Sequence, residues 1–226
     1  MAERPRVVRS DEPALVAGRL LAEALRDADA AGDGARLAVP GGSALAALGL
    51  ARRAAGSAWQ RVRLTWVDER CVPFQHADSN RGSAYRSGAL DADDPPAREL
   101  PLFQDGEDGA AAVARVERVL AREFSDALDV LLLGLGEDAH VASLFPGWRL
   151  PSGARVAFVA ESPKPPPARV TLTPLVLASA RAGVLLAAGE AKRAALERVL
   201  AGDRALAVTS LHGVTIVTDL RLAGGP

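Results

Sequence analysis

The sequence is short of the residues that usually make chemistry ambiguous. One cysteine, Cys71, stands in 226 residues, which excludes an internal disulfide and fits a reducing compartment. The three histidines, His76, His140 and His212, are far apart in sequence and lack the spacing of a zinc site. No apolar run approaches the roughly 20 residues needed to cross a bilayer, and the start, MAERPRVVRS, holds no apolar core of signal-peptide length. With 27 Lys and Arg against 28 Asp and Glu the net charge is −1, so no broad positive field attracts nucleic acid and any anion must be held locally. These absences predict a cytoplasmic protein without a membrane or nucleic-acid partner. No composition break divides the chain, and residues 1–226 read as a single α/β domain.

What is present is a run of buried strands ending in glycines. Val130 to Leu133 is a continuous aliphatic run, the signature of a strand covered on both faces. Gly134 and Gly136 let the backbone turn there, so Glu137, Asp138 and His140 sit just past the carboxyl end of a buried strand. Ligands of open α/β sheets bind at that edge. Glu12–Ala30 and Asp108–Phe124 carry apolar residues close to a 3.6 period and read as amphipathic helices. Arg36–Val39, Val62–Val67, Gly183–Ala188 and Val214–Thr218 read as strands, and Arg155–Ala160 and Val170–Thr173 as extended segments around ESPKPPPA. A helix capped by Ser79 or Asn80 runs to about Leu90, a short one covers Pro174–Ser179, and another covers Ala191–Leu200. Asp91–Pro101, acidic and proline-rich, reads as an exposed loop. The alternation predicts a doubly wound, mostly parallel sheet flanked by helices, Rossmann-like in layout.

Several stretches invite chemistry. Pro40-Gly41-Gly42-Ser43 turns a strand into an Ala/Leu-rich helix with Ser43 as N-cap, and its N–H groups and dipole suit a phosphate. An ordinary strand-to-helix turn looks the same in sequence. Asp68, Glu69 and Arg70 follow a strand as either a solvated loop or part of a site. The proline arm can present Lys164 and Arg169 to an anion or serve a partner's aromatic groove. GLGEDAH supports four readings. As a dinucleotide fingerprint, GLGEDA has Glu161 at a suitable distance, yet Phe145, Pro146 and Gly147 stop any crossover helix. A metal on Asp138 and His140 lacks further ligands, and Ser143 lacks the elbow of a serine nucleophile. A general base at His140, oriented by Asp138, stands level with a loop histidine of no catalytic role.

GLGEDAHVASLFPG (Gly134–Gly147) resembles the signature of the 6-phosphogluconolactonase family, G-x-G-x-D-G-H-x-A-S-L-F-P-G. PGGS, WVDERCVP (Trp66–Pro73) with Ser79-Asn80, PKPPPARVTLT (Pro163–Thr173) and GEAK (Gly189–Lys192) occur in the family's order. The chain departs at Ala139, where the family has glycine, at Ala44-Leu45, and in ALAVTSLHG, which lacks a usual proline. The resemblance implies a sugar-phosphate isomerase type of fold and hydrolysis of 6-phospho-D-glucono-1,5-lactone to 6-phosphogluconate in the oxidative pentose phosphate pathway. It implies His140 as general base, Asp138 as its orienting group, and Gly41, Gly42 and Ser43 on the phosphate. Arg70, Arg169 and Lys192 would supply positive charge, Gly136 a backbone N–H near the reacting centre, and Asp68 and Glu69 contacts to sugar hydroxyls or to Arg70. No metal or organic cofactor is required, and a monomer or small homo-oligomer is expected. Rival expectations are a glucosamine-6-phosphate deaminase, disfavoured by Leu144-Phe145 where those enzymes place a carboxylate, and a non-catalytic sugar-phosphate binder.

Overall fold

Seven parallel strands form the central sheet of the computed structural model, which describes residues 5–148 and 150–222. β1 (Arg6–Arg9) leads to α1 (Pro13–Ala30), β2 (Arg36–Val39) and α2 (Leu45–Ala55), and then to β3 (Arg63–Trp66) and β4 (Asp68–Arg70). After α3 (Asn80–Arg86), β5 (Arg98–Leu100) and α4 (Gly109–Glu123) comes β6 (Val130–Gly134), the aliphatic run of the sequence. β7 (Val156–Val159), β8 (Arg169–Leu172), α5 (Pro174–Leu177), β9 (Ala182–Leu186), α6 (Arg193–Leu200) and β10 (Val214–Thr218) complete the order. The main sheet runs β1-β10-β9-β6-β2-β3-β5, so the fold class read from the alternation is the one observed.

Burial follows the patterns that predicted it. α1 buries Ala17, Gly18, Leu21, Ala22 and Leu25 along one stripe. A Cβ on Gly18 would lie 2.6 Å from Leu50 Cβ, so α1 and α2 meet at a spacing only glycine allows. α4 starts at Asp108, whose carboxylate accepts from Ala111 N at 2.8 Å, and α3 starts at Ser79, whose hydroxyl accepts from Gly82 N at 2.9 Å. At the amino edge of the sheet, Arg36 grips Asp129 through two bonds of 2.7 Å each and ties β2 to the start of β6.

Three features differ from the sequence reading. β1 was not expected at all; four residues with polar ends carry too little pattern to show as a strand. Asp91–Pro101 is not wholly an exposed loop, since Arg98–Leu100 pairs with β3 and Leu100 is buried. Asp68–Arg70 is not a loop either: it is a strand of a second, antiparallel sheet ordered β4-β8-β7. Val67 joins the two sheets, donating to Val39 O at 2.8 Å and accepting from Leu172 N at 2.9 Å. The small sheet thereby stands over the carboxyl edge of the large one.

Candidate active site

β2 is followed by strands on one side of itself and β6 returns to pair on the other side, so the order reverses between β2 and β6. That switch point leaves a crevice at the carboxyl ends of the strands. PGGS emerges from β2, GLGEDAH from β6 and GEAK from β9, three strands hydrogen-bonded side by side. The first two loops touch: a Cβ on Gly134 would lie 3.8 Å from Ala44 Cβ.

The loop after β6 contains no helix, which removes the crossover that a dinucleotide fingerprint requires. It is instead a tight turn in which Gly136 N donates to His140 O at 2.8 Å and Ala139 N to Gly136 O at 3.0 Å. This brings His140 Nδ1 to 2.5 Å from Asp138 Oδ1. Gly136 matters here by being small. A Cβ at 136 would lie 2.1 Å from His140 Nδ1 and 2.6 Å from Asp138 Oδ1, so any other residue would push the pair apart. Its N–H is already donated, which corrects the expectation that it serves a ligand. Ala139 occupies φ +70°, the left-handed conformation natural to the glycine it replaces. Ala142, at φ +52°, is strained in the same way.

The electrostatics of the pair follow from its setting. Burial pushes the His140 imidazole below its ordinary value, against the opposing pull of Asp138. Burial would raise Asp138, but hydrogen bonds and charges from His140 and Lys164 outweigh it and hold the carboxyl at about 2. With Asp138 ionised, Nδ1 carries the imidazole proton and Nε2 is left as an acceptor. Lys164, delivered by the proline arm, places Nζ 3.2 Å from Asp138 Oδ1. Phe145 contacts both His140, ring centres 4.8 Å apart and tilted by 34°, and Trp148, 5.1 Å apart and tilted by 56°. Trp148 is 45% exposed and, with Phe145, lines a cavity of about 450 Å3 whose walls include neither His140 nor Asp138.

The remaining expected site residues separate into two groups. Gly41, Gly42 and Ser43 open a short 3-10 turn leading into α2, where the first N–H groups have no intrahelical partner. Ser43 is exposed and makes no capping bond, contrary to expectation; Gly42 at φ +69° makes the turn instead. Arg70 uses Nη1 on Asp78 O at 2.7 Å, while its buried Nε has no partner among the described residues. Lys192 is half-buried at the end of another 3-10 turn, after Gly189 at φ +91°.

Glu69 and Asp68 are committed within the protein. Burial raises the Glu69 carboxyl against three backbone bonds that lower it, from Arg81 N, Asn80 N and Arg70 N at 2.8, 2.7 and 2.8 Å. Glu69 thus closes the start of α3 and has no oxygen left to face a sugar, a correction to the sequence reading. Asp68 Oδ2 accepts from Ser143 Oγ at 2.6 Å, and Asn80 Nδ2 reaches Oδ1 at 3.3 Å. Arg169 is 2% exposed; it donates to the carbonyls of Pro166, Lys164 and Pro165 and points Nη1 at Ser143 Oγ, 3.4 Å away. Its first task is therefore to pin the proline arm that carries Lys164. Only a remaining Nη1 hydrogen is left for an anion, so its expected share in anion binding is smaller than its charge suggested. Sequence reasoning missed Lys164 as the partner of Asp138; the rigid run after it was the only signal.

Comparison with known proteins places this arrangement. The family model described as glucosamine-6-phosphate isomerases/6-phosphogluconolactonase matches residues 9–215. The chain belongs to this family. A 6-phosphogluconolactonase of Mycobacterium leprae is 34% identical over 229 residues, covering 94% of this chain and 92% of that protein. The 6-phosphogluconolactonase of Rattus norvegicus is 39% identical over 150 residues, and the match covers 64% of this chain but only 58% of the rat protein. Among solved structures, the 6-phosphogluconolactonase from Trypanosoma cruzi superposes with a TM-score of 0.80 at 25% identity, covering 96% and 95% of the two chains. The family's name spans isomerisation and lactone hydrolysis, so the site must decide between them.

Proposed function

We propose that this family member hydrolyses 6-phospho-D-glucono-1,5-lactone to 6-phospho-D-gluconate, the second step of the oxidative pentose phosphate pathway. The observation that carries the reading is the 2.5 Å contact between His140 Nδ1 and Asp138 Oδ1, which supports Nε2 as the base for a substrate in the switch-point crevice. Water loses a proton to Nε2 as its oxygen bonds to the lactone carbonyl carbon. The tetrahedral oxyanion collapses, the ring C–O bond breaks, and the imidazolium returns the proton to the departing hydroxyl. Asp138 stabilises the imidazolium, and Lys164 keeps Asp138 ionised. The phosphate, carrying about −1.5 to −2 charge, is held by the N–H groups of Gly41, Gly42 and Ser43 and by Arg70 and Lys192, with Arg169 beneath. Asp68 shapes the floor of the site through Ser143.

The names of the relatives above support the lactone, and buried Leu144 and Phe145 put no carboxylate where a deaminase would need one. The test compares hydrolysis of the lactone, corrected for spontaneous opening, with ammonia release from glucosamine 6-phosphate. Lactone hydrolysis that His140→Ala lowers by roughly 10²- to 10⁴-fold is the expected result. Ammonia release without hydrolysis would replace the reading with deamination.

A further inference from the structure

His140 and Val141 stand between two alanines in the left-handed region, Ala139 at φ +70° and Ala142 at φ +52°. Each such residue costs about 1–2 kcal/mol relative to its relaxed backbone. Strain of this kind persists only where the surroundings over-determine it. On the strand side of the loop the Gly136–His140 backbone bond does this. On the far side the tie is Ser143.

Ser143 is fully buried, with Asp68 at 6% and Arg169 at 2% exposure around it. Its hydroxyl donates to Asp68 Oδ2 at 2.6 Å and faces Arg169 Nη1 at 3.4 Å, while its backbone N reaches Thr171 Oγ1 at 3.3 Å. These partners belong to β4 and β8, paired strands of the small sheet, so the loop that leaves the large sheet is fastened to the small one at one point. Without the hydroxyl, a buried carboxylate oxygen would lose its only close donor among the described residues, because Arg169 Nη1 stands at 3.7 Å. A sealed Oγ whose proton faces a carboxylate is no nucleophile for a substrate in the crevice. We propose that Ser143 is a positioning residue for the His140–Asp138 pair, its bond to Asp68 holding the strained turn in the one conformation that brings base and carboxylate together. The inference deepens the proposed lactone hydrolysis and rests on it for its kinetic readout.

The experiment compares wild type with Ser143→Ala and with Ser143→Cys, near in size and a weaker donor. Turnover and KM for the lactone are measured, and His140 is titrated by NMR, its signals assigned by their loss in His140→Ala; His76 and His212 are both exposed. Charged groups bearing on the ring are Asp138 of its own loop, Lys164 of the proline arm and Asp68 after β3. The Arg169 guanidinium stands 5.9 Å from the centre of the Phe145 ring, and Arg198 of α6 reaches the Asp138 carbonyl at 3.4 Å. Loosening the turn lets water reach the imidazole, whose burial outweighs the rest. The expected result for Ser143→Ala is a kcat reduced about 10- to 100-fold with KM within threefold, equivalent to about 1.4–2.7 kcal/mol. The His140 midpoint should move up toward the ordinary 6.5. Ser143→Cys should show both changes at smaller size. Folded variants with kcat within twofold and an unmoved titration overturn the proposal, as does a rise in KM at unchanged kcat. If Ser143→Ala does not fold, Ser143→Cys decides on the same criteria. If no form hydrolyses the lactone, the functional reading fails, while the His140 titration still decides the positioning claim.

Discussion

Replacing Asp138 by asparagine keeps the shape of the pair and removes its charge. In the proposed transition state the imidazole gains a proton, and its charge sits about 4 Å from the centre of the carboxylate. At an effective dielectric near 20 that attraction is worth about 4 kcal/mol. The Asp138 side chain is 38% exposed, and solvent screening removes about half of it. The remaining value of about 2 kcal/mol predicts a kcat reduced roughly 30-fold. The loss grows if the amide presents its N–H to Nδ1, because the imidazole proton then moves to Nε2 and the base is gone. The pH profile supplies a second reading. The proposed mechanism needs neutral His140, so the rate should fall as pH drops through its folded value, which burial already sets below 6.5. Asp138→Asn removes the hydrogen bond and charge that raise it, so the acid limb should move to still lower pH. Stopped-flow or coupled assays of the lactone across pH give both numbers. A kcat within threefold of wild type, or a limb that moves upward, would refute the reasoning.

Other outcomes follow from the same geometry. Ala139→Gly relieves about 1–2 kcal/mol of backbone strain, loses about 0.8 kcal/mol of methyl burial and adds unfolded-state freedom of similar size; denaturant melts should show stability within about 1 kcal/mol of wild type, against a clear loss for Ala112→Gly in α4. Gly41→Ala sets a Cβ 1.9 Å from Asn80 Oδ1 and should raise KM for the lactone at least tenfold with a smaller effect on kcat. Asp129→Ala leaves Arg36 half-buried without its partner and should cost about 2–3 kcal/mol in urea unfolding while leaving kcat intact, since the pair lies at the opposite edge of the sheet. His140 binds its proton less readily folded than unfolded, so stability is retained above about pH 6.5 and is lost as pH falls below it. His140→Ala should therefore lose less melting temperature than wild type between about pH 7 and pH 5.

The sequence shows its main sheet because strands covered on both faces become aliphatic runs: Val130–Leu133 has no other good reading. It hides β1, β4 and β5 because strands of three or four residues with charged members do not establish a period. The contact between Asp138 and His140 was legible because the two residues are two apart on one turn. The small sheet's contribution was not, because Asp68, Ser143, Lys164 and Arg169 meet only after the chain has crossed between sheets. Glu69 illustrates the limit. Its place after a strand resembles that of a ligand-binding acid, and only coordinates reveal both oxygens turned inward to α3.

The row of rings that ends in Trp148 gives the protein an optical signal of its own. Trp59 and Trp66 are sealed at 1% and 0% exposure, so their emission is blue and out of reach of aqueous iodide. The indole that iodide can quench is that of Trp148, one phenyl ring removed from the imidazole. If the proposed sugar phosphate settles over His140, that red-edge component reports it, and occupancy can be followed by light without attaching a dye.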